Sequence, residues 1–399
     1  KLNPIEKLFE LKVKEEKIGL GIMSGTSLDG VSIVIAKLKG NWINTKFKIL
    51  YHKTFEYDNE IRRLILKSTN PKTGNVKRIC QLNYVLGMIF AEKALEAMDE
   101  VGLSRGDVDF IASHGQTIYH NPKIEDIYGY KTRSTLQIGE PSIIAYKTKI
   151  ITIADFRHKD VAAGGNGAPI SAYADYIIFR SIDICRAIQN IGGIANVTYI
   201  PRNAEIKDVI AFDTGPGNMI IDAIVREMSH GKLNMDLNGE IAAKGKVNEV
   251  LLNYMMKHPY LKKKPPKTTG REEFGESYVK KIIGKAREMN LKWEDIIATA
   301  TYYTAKTITE SYIKYLPEKP DEIIIGGGGS RNRVLMEMIK ELNPKTKISL
   351  HEDYGIPSQA KEPLVMVILA NETISGFPNN VPSATGALER VVMGKIILP

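Results

Sequence analysis

The sequence predicts a two-lobed α/β protein, and three observations carry that prediction. At 399 residues the chain exceeds what one hydrophobic core usually serves, so two halves with a sizeable core each are expected. One pattern occurs twice, near the start of each half: an apolar β-rich run, a turn of small residues, then a second apolar run. It is IGLGIMSGTSLDGVSIVI at 18–35 and IQNIGGIANVTYI at 188–200. Several short apolar runs also end in polar, chemistry-bearing residues, which is how α/β sheets present ligand sites.

The tip of the first hairpin offers Gly25 and Gly30, which let backbone N–H groups approach an anion, and the hydroxyls of Ser24, Thr26 and Ser27. Such a tip suits phosphate oxygens, although taken alone it is also an ordinary tight turn. Asp29 is read as a Mg²⁺-side residue, because a carboxylate beside phosphates is repulsive unless a metal or its water lies between. The second hairpin, with Gly192, Gly193 and Asn196, repeats the design, so the two would face one nucleotide across a cleft.

Composition excludes other classes. Hydrophobic content of 43% and charged content of 25% are those of a globular protein. No apolar run reaches the ~20 residues that span a bilayer, so no membrane role and a cytoplasmic location are expected. Cys80 and Cys185 are too few for a disulfide framework or zinc site and are expected as buried thiols. The net charge of +9 is spread widely, and its densest run, Lys262, Lys263, Lys264 and Lys267, reads as a solvated loop rather than a nucleic-acid site.

In order, the periodicities predict a short helix within 1–17, a strand at 46–57, and helices at 61–67 and 79–100. Strands are expected at 108–112 and 148–154. Past the first lie Ser113, His114, Gly115, Gln116 and Thr117; past the second lie Asp155, Arg157 and His158. His114, Gln116 and Thr117 are taken as substrate candidates. GGNGAP at 164–169 reads as a flexible connection into a helix at 170–179, and the first lobe is expected to end at 180.

The second lobe, 181–377, continues with a strand at 209–213 ending in DTGPGN and a helix at 219–228. Thr214, Gly215, Gly217 and Asn218 would bring backbone and helix N-terminus to an anion. Asp213, fixed at a strand end, suits a general base, or alternatively caps the turn. KTTGREEF at 267–274 is polar, and Arg271 in it either binds an anion or pairs with Glu272 or Glu273. A helix at 296–315 and a strand at 322–325 precede Gly326, Gly327, Gly328 and Gly329. Four glycines cost stability unless something lies flat against the backbone, and a base and ribose are the candidates, with Asn332 near the next helix cap. A Rossmann reading is rejected, since that fingerprint belongs to a first strand, and no Walker lysine is present. Glu362 is expected just ahead of a helix at 364–374, and the stretch 378–399 as a return to the first lobe.

MSGTSLDG at 23–30, SHGQT at 113–117, QIGEP at 137–141, ADFRHKDVAAGGNGAP at 154–169, NIGGIANV at 190–197, FDTGPGN at 212–218, KTTGREEF, GGGGSRN at 326–332 and DYGIP at 353–357 together resemble the anhydro-N-acetylmuramic acid kinase family. Asn166, where that family usually has glutamine, and the residues ahead of Ile18 depart from its pattern. The resemblance implies the two-lobed fold of the actin, heat-shock chaperone and sugar-kinase superfamily, with a deep interlobe cleft closing on ATP and Mg²⁺. It implies that 1,6-anhydro-N-acetylmuramic acid, water and ATP become N-acetylmuramic acid 6-phosphate and ADP. By the same resemblance Asp213 is the catalytic base, residues Gly25, Thr26, Ser27, Leu28, Asp29 and Gly30 form the ATP-phosphate loop, and the glycine run is the adenosine turn. Arg157 and Glu362 then contact the sugar, with Gly215 and Asn218 as further substrate candidates. A kinase for a different sugar, or an actin-like or chaperone-like ATPase, is the alternative; a homodimer is left open, and no nucleic-acid partner is expected.

Overall fold

In the computed structural model, which describes residues 3–399, helix α1 (Pro4–Val13) is capped by Asn3 and leads into the first hairpin. Strands β1 (Glu16–Ser24) and β2 (Gly30–Lys39) pair antiparallel, and β3 (Lys46–Glu56) adds to β2. Because strand side chains alternate between faces, Leu20, Ile22, Ile33 and Ile35 enter a core shared with α3 (Val76–Val101), which follows α2 (Asn59–Thr69). Then come β4 (Phe110–Ile127), β5 (Tyr130–Ile138), α4 (Pro141–Thr148), β6 (Thr152–Ala154), α5 (His158–Ala162) and α6 (Ala172–Phe179).

The chain forms two units: residues up to Ile178 with Gln359–Pro399, and Phe179–Ser358. The second unit contains β7 (Arg186–Ile191), β8 (Ile194–Ile200), β9 (Ile210–Pro216), α7 (Met219–Met228), α8 (Glu249–Met255), α9 (Arg271–Phe274), α10 (Glu276–Glu288), α11 (Trp293–Tyr315), β10 (Glu322–Gly326), α12 (Arg333–Leu342) and β11 (Lys347–Leu350). Back in the first unit are α13 (Lys361–Ser375), α14 (Pro382–Thr385) and β12 (Lys395–Ile397), which pairs with β6.

Both units repeat one topology. The first sheet runs β3-β2-β1-β4-β6, the second β9-β8-β7-β10-β11; in each the first two pairings are antiparallel and the next two parallel. This is the mixed α/β class expected from the duplicated hairpins. The glycines of the first apolar run serve packing. A Cβ on Gly21 would stand 2.1 Å from the Pro363 carbonyl oxygen, and one on Gly19 2.8 Å from Val367, so these glycines let α13 lie directly on β1.

Several expectations need correction. Ser113–Thr117 do not lie past a strand: β4 continues through them to Ile127, because β5 pairs with it and takes up the backbone hydrogen bonds of that polar stretch. Of the strand expected at 148–154 only Thr152–Ala154 forms, since Thr148 still belongs to α4. β9 runs on to Pro216, so Asp213 sits inside a strand. Glu362 lies in the first turn of α13 rather than ahead of it, and the return to the first unit begins at Gln359 rather than 378. Cys185 is buried but Cys80, on α3, is exposed. Lys262, Lys263 and Lys264 are solvated, whereas Lys267 is buried. No helix among the described residues is long and apolar enough to cross a membrane.

Candidate active site

At the first hairpin tip Thr26, Ser27 and Asp29 are exposed and Gly25 is half-exposed. A Cβ on Gly25 would meet nothing nearer than the Glu362 carboxylate at 3.7 Å and the Ser27 hydroxyl at 3.9 Å, so the turn has open space over its backbone. Leu28, at φ +56°, points its side chain into the core, and its carbonyl accepts from Arg62 Nε at 3.0 Å. Its side chain is therefore unavailable to an anion, and its N–H donates to the Gly25 carbonyl at 3.2 Å. Gly30 answers to packing, since a Cβ there would lie 2.0 Å from the Phe55 carbonyl oxygen. The Ser24 hydroxyl is spent internally: it accepts from Tyr57 at 2.6 Å and donates to Gln116 Oε1. Gln116, buried by that bond, fixes the hairpin and offers no group to a substrate, contrary to its expected role, while Thr117 accepts from Gln137 at 3.2 Å. Asp29 is a lone exposed carboxylate at the tip, which fits a Mg²⁺ held mainly by phosphates and water rather than by a protein cage.

Beside Gly25 stands a second cluster in the same unit. Between β1 and β4 the register slips so that Ile22 faces Ser113 and Ser24 faces Gln116, and the bulge at His114 and Gly115 (φ +80°) turns the imidazole toward Arg157. Arg157 Nε donates to His114 Nε2 at 3.0 Å, and His114 Nδ1 lies 2.9 Å from the Gly115 carbonyl oxygen. Those two bonds require the neutral tautomer with its proton on Nδ1. Burial, then the Arg157 charge, push His114 down to about 3 and keep it neutral. Both His114 ring nitrogens are thus engaged within the chain. Arg157 also donates to the Gly167 carbonyl at 2.8 Å, and three of its five N–H donors are left for an anion or hydroxyl. Burial lowers it to about 10, with Glu362 and Asp160 acting the other way, so it stays cationic at neutral pH. The Glu362 carboxyl is reached by water yet held above its ordinary range by desolvation, against the pull of Arg157 and Lys361.

Asp160, which the sequence reading passed over, organises this wall. Fully buried, it accepts from Gly167 N at 2.8 Å, Asn380 Nδ2 at 3.0 Å and Thr385 Oγ1 at 2.8 Å. GGNGAP is therefore pinned rather than flexible, and Gly165 leaves room for the carboxylate, which a Cβ would approach to 2.2 Å. The only sequence signal was an acidic residue shortly before a glycine pair.

The carbonyls of the second hairpin turn, in the other unit, are taken by its own chain, while Gly193 is exposed and a Cβ there would meet nothing nearer than Met219 at 3.6 Å. The Gly192 carbonyl accepts from Asn218 N at 2.8 Å, and that of Gly193 accepts from Gly217 N at 2.9 Å and Met219 N at 3.1 Å. The N–H groups expected to offer an anion site at α7 are therefore donated to the hairpin. Of the four consecutive glycines, three answer to packing: Cβ atoms would come within 1.7 Å of His351 at Gly326, 2.7 Å of Asn190 at Gly327 and 2.3 Å of Ile191 at Gly329. Gly328 alone is exposed with room above it. Asn332 spends its Oδ1 on the cap of α12, accepting from Leu335 N at 3.0 Å.

Asp213 lies on β9 directly across from Asn196 of β8, which in turn faces Asn190 of β7, so the three side chains share one sheet face. A bulge follows, with Thr214 as the extra residue and Gly215 at φ +143°. The KTTGREEF segment wraps Asp213: its N–H donates to the Lys267 carbonyl at 3.1 Å, its Oδ2 accepts from Thr269 N at 2.9 Å, and its carbonyl accepts from the Tyr260 hydroxyl at 2.7 Å. The Asp213 carboxyl is pushed up to about 7, chiefly by burial and then by Glu272, while the Thr269 N–H and Lys267 pull it down. A fixed carboxylate that ionises near neutrality can take a proton from water.

A model of the anhydro-N-acetylmuramic acid kinase family matches residues 17–399. A Caldanaerobacter subterraneus subsp. tengcongensis protein of that name is 49% identical over 396 residues, 99% of this chain and 100% of its own. One from Bacillus cereus (strain AH820), of the same name, is 45% identical over 383 residues, 95% of this chain and 98% of its own. Among solved structures, an activator of the 2-hydroxyisocaproyl-CoA dehydratase from Clostridium difficile with bound ADPNP aligns over 90% of this chain and 95% of its own, at TM-score 0.45 and 16% identity.

Proposed function

The chain belongs to the anhydro-N-acetylmuramic acid kinase family, and from that premise we propose how its residues divide the work. The reaction is an ATP-dependent phosphotransfer to 1,6-anhydro-N-acetylmuramic acid. Its O6 is tied to C1, so no free hydroxyl exists to phosphorylate. Water attacks C1, the C1–O6 bond breaks, and O6 takes the γ-phosphoryl group as the bond to the β-phosphate breaks, giving N-acetylmuramic acid 6-phosphate and ADP.

Asp213 takes the proton of the attacking water, and the observation that carries this role is a carboxylate fixed by the Thr269 N–H with its ionisation near neutrality. The open backbone of the first hairpin, with the Thr26 and Ser27 hydroxyls, binds phosphate oxygens, and Gly328 leaves space for the nucleoside. Bound Mg²⁺ supplies charge neutralisation for phosphoryl transfer, and Asp29 is the residue that holds it directly or through water. Arg157, aimed by His114, and Glu362 hold the sugar. We place the protein in the cytoplasm, where ATP is available.

Turnover in ¹⁸O-water tests the reaction: label is expected at C1 of the product. Its appearance in inorganic phosphate without a labelled sugar would instead mean simple ATP hydrolysis, and the reading would fail.

A further inference from the structure

One arginine of the first unit is fixed at the open turn and has no carboxylate partner. Arg62 stands at the start of α2, which Asp58 caps by accepting from Glu60 N at 2.8 Å and which Ile65 anchors in the core shared with α3. The arginine is half-buried, and its Nε donates to the Leu28 carbonyl at 3.0 Å. Among the described residues its side chain makes no ion pair and no second hydrogen bond. Its neighbour Arg63, which is exposed, pairs with Glu60 at 2.7 Å, as a solvated arginine on this helix can. A guanidinium is planar and rigid, so the bond at Nε sets the plane of the whole group and leaves the N–H donors of Nη1 and Nη2 unspent. The turn beside it offers an anion backbone and hydroxyls but no charge of the right sign, since Asp29 is a carboxylate. Arg62 is the one cation that a hydrogen bond ties to this turn among the described residues. Asp29 adjoins Leu28, yet no ion pair joins it to Arg62, so both charges stay available to a ligand.

We propose that Arg62 is the phosphate-binding cation of the first turn, with Nη1 and Nη2 donating to oxygens of the nucleotide's terminal phosphates. The role rests on the reading of this turn as the phosphate turn. The guanidinium fork matches phosphate oxygens and keeps its charge at any working pH. Asp29 then serves the metal, and Arg62 serves oxygens that the metal does not take. Spending Nε on the turn's own carbonyl has a purpose in this arrangement. It orders a long side chain before the ligand arrives, so less rotamer freedom is lost on binding.

The test is calorimetry of Mg-AMPPNP binding to Arg62→Gln and Arg62→Lys at low and high salt, with amide exchange of Leu28 followed in the nucleotide-free proteins. Arg62→Gln keeps an amide donor for the Leu28 carbonyl and loses the charge. Its affinity at low salt is expected to fall roughly tenfold to a hundredfold, the worth of one or two hydrogen bonds to a charged group. At high salt the gap should narrow, because screening has already weakened the wild type. Arg62→Lys keeps the charge without the fork and should recover part of the loss. Leu28 exchange in the free variants should stay as in the wild type. The proposal is overturned if Arg62→Gln, folded by circular dichroism, binds Mg-AMPPNP as tightly as the wild type. It also falls if the loss is the same at both salts and Leu28 exchange speeds up, since Arg62 would then only brace the turn. The reading beneath it is tested apart, in the wild type. If Mg-AMPPNP leaves amides 26, 27 and 29 unprotected, this is not the phosphate turn, while the affinity of Arg62→Gln still reports whether Arg62 meets the nucleotide.

Discussion

The two hairpins stand at the same place in the same strand order, yet only the second has the start of a helix seated against its carbonyls. A Cβ would find room at Gly25, with its nearest atoms at 3.7 Å and 3.9 Å, and equally at Gly192 and Gly193, with nothing nearer than 3.6 Å; the close packing lies at Gly217, where the Gly192 carbonyl oxygen would be 2.1 Å away. A duplicated topology fixes where two turns lie and leaves open what they are used for. In the first unit the turn keeps the Thr26 and Ser27 side chains outward, while the Leu28 N–H donates to the Gly25 carbonyl at 3.2 Å. In the second, the turn's carbonyls hold the start of α7, and that bracing supports the strand carrying Asp213. We propose the first as a phosphate turn; the second combines an open Gly193 with bracing of the strand that carries Asp213.

The largest effect that sharpens this contrast is Asp213→Asn. A general base is worth roughly 10²–10⁴ in rate, so kcat should fall by about that factor while calorimetry finds ATP affinity nearly unchanged. Loss of ATP binding with turnover would place Asp213 on the nucleotide instead. In the wild type, kcat/KM should decline as pH falls through about 7, because the base must be ionised.

Gly217→Ala and Gly25→Ala form the next pair. Forcing a methyl against backbone should cost Gly217→Ala about 2 kcal/mol or more in urea unfolding. Gly25→Ala should cost less than about 1 kcal/mol yet weaken ATP binding. Equal destabilisation by the two would remove the distinction between an open turn and the tightly seated start of α7.

His114→Ala should leave the Arg157 Nε–H without its partner, at about 1–3 kcal/mol. We expect KM for the sugar to rise roughly tenfold with KM for ATP unchanged; the reverse pattern would move Arg157 to the nucleotide. The smallest effect is on stability. A carboxyl held above its unfolded value favours the protonated fold, so its contribution is fully present below about pH 4, where the unfolded chain also keeps the proton, and is lost as pH rises from there to about 7. Asp213→Asn should therefore gain stability over wild type at pH 8 and show little difference near pH 3 in thermal melts.

Much of this was legible in the sequence, and the misses have physical causes. Both hairpins and α7, whose bounds are Met219–Met228, follow from apolar period and flanking small residues. β4 was cut short because SHGQT reads as a strand end; a polar stretch stays in a strand when a partner such as β5 satisfies its backbone. Glycine was the harder residue to interpret. Gly30, Gly326, Gly327 and Gly329 are small because the protein's own atoms press on them, and a sequence cannot distinguish that from room left for a ligand. Lys267 reads in the sequence like its solvated neighbours, because the rings its ammonium lies over, Phe212, Tyr260 and Tyr315, stand some fifty residues apart along the chain.

Amide hydrogen exchange with and without Mg²⁺-ADP is the most direct test of the contrast. Amides 217–219 should already exchange slowly in the free protein and change little, while amides 26, 27 and 29 should exchange fast and become protected when nucleotide binds. Fast exchange at 217–219 that slows only with nucleotide, with 26, 27 and 29 unaffected, would contradict this contrast between the two turns.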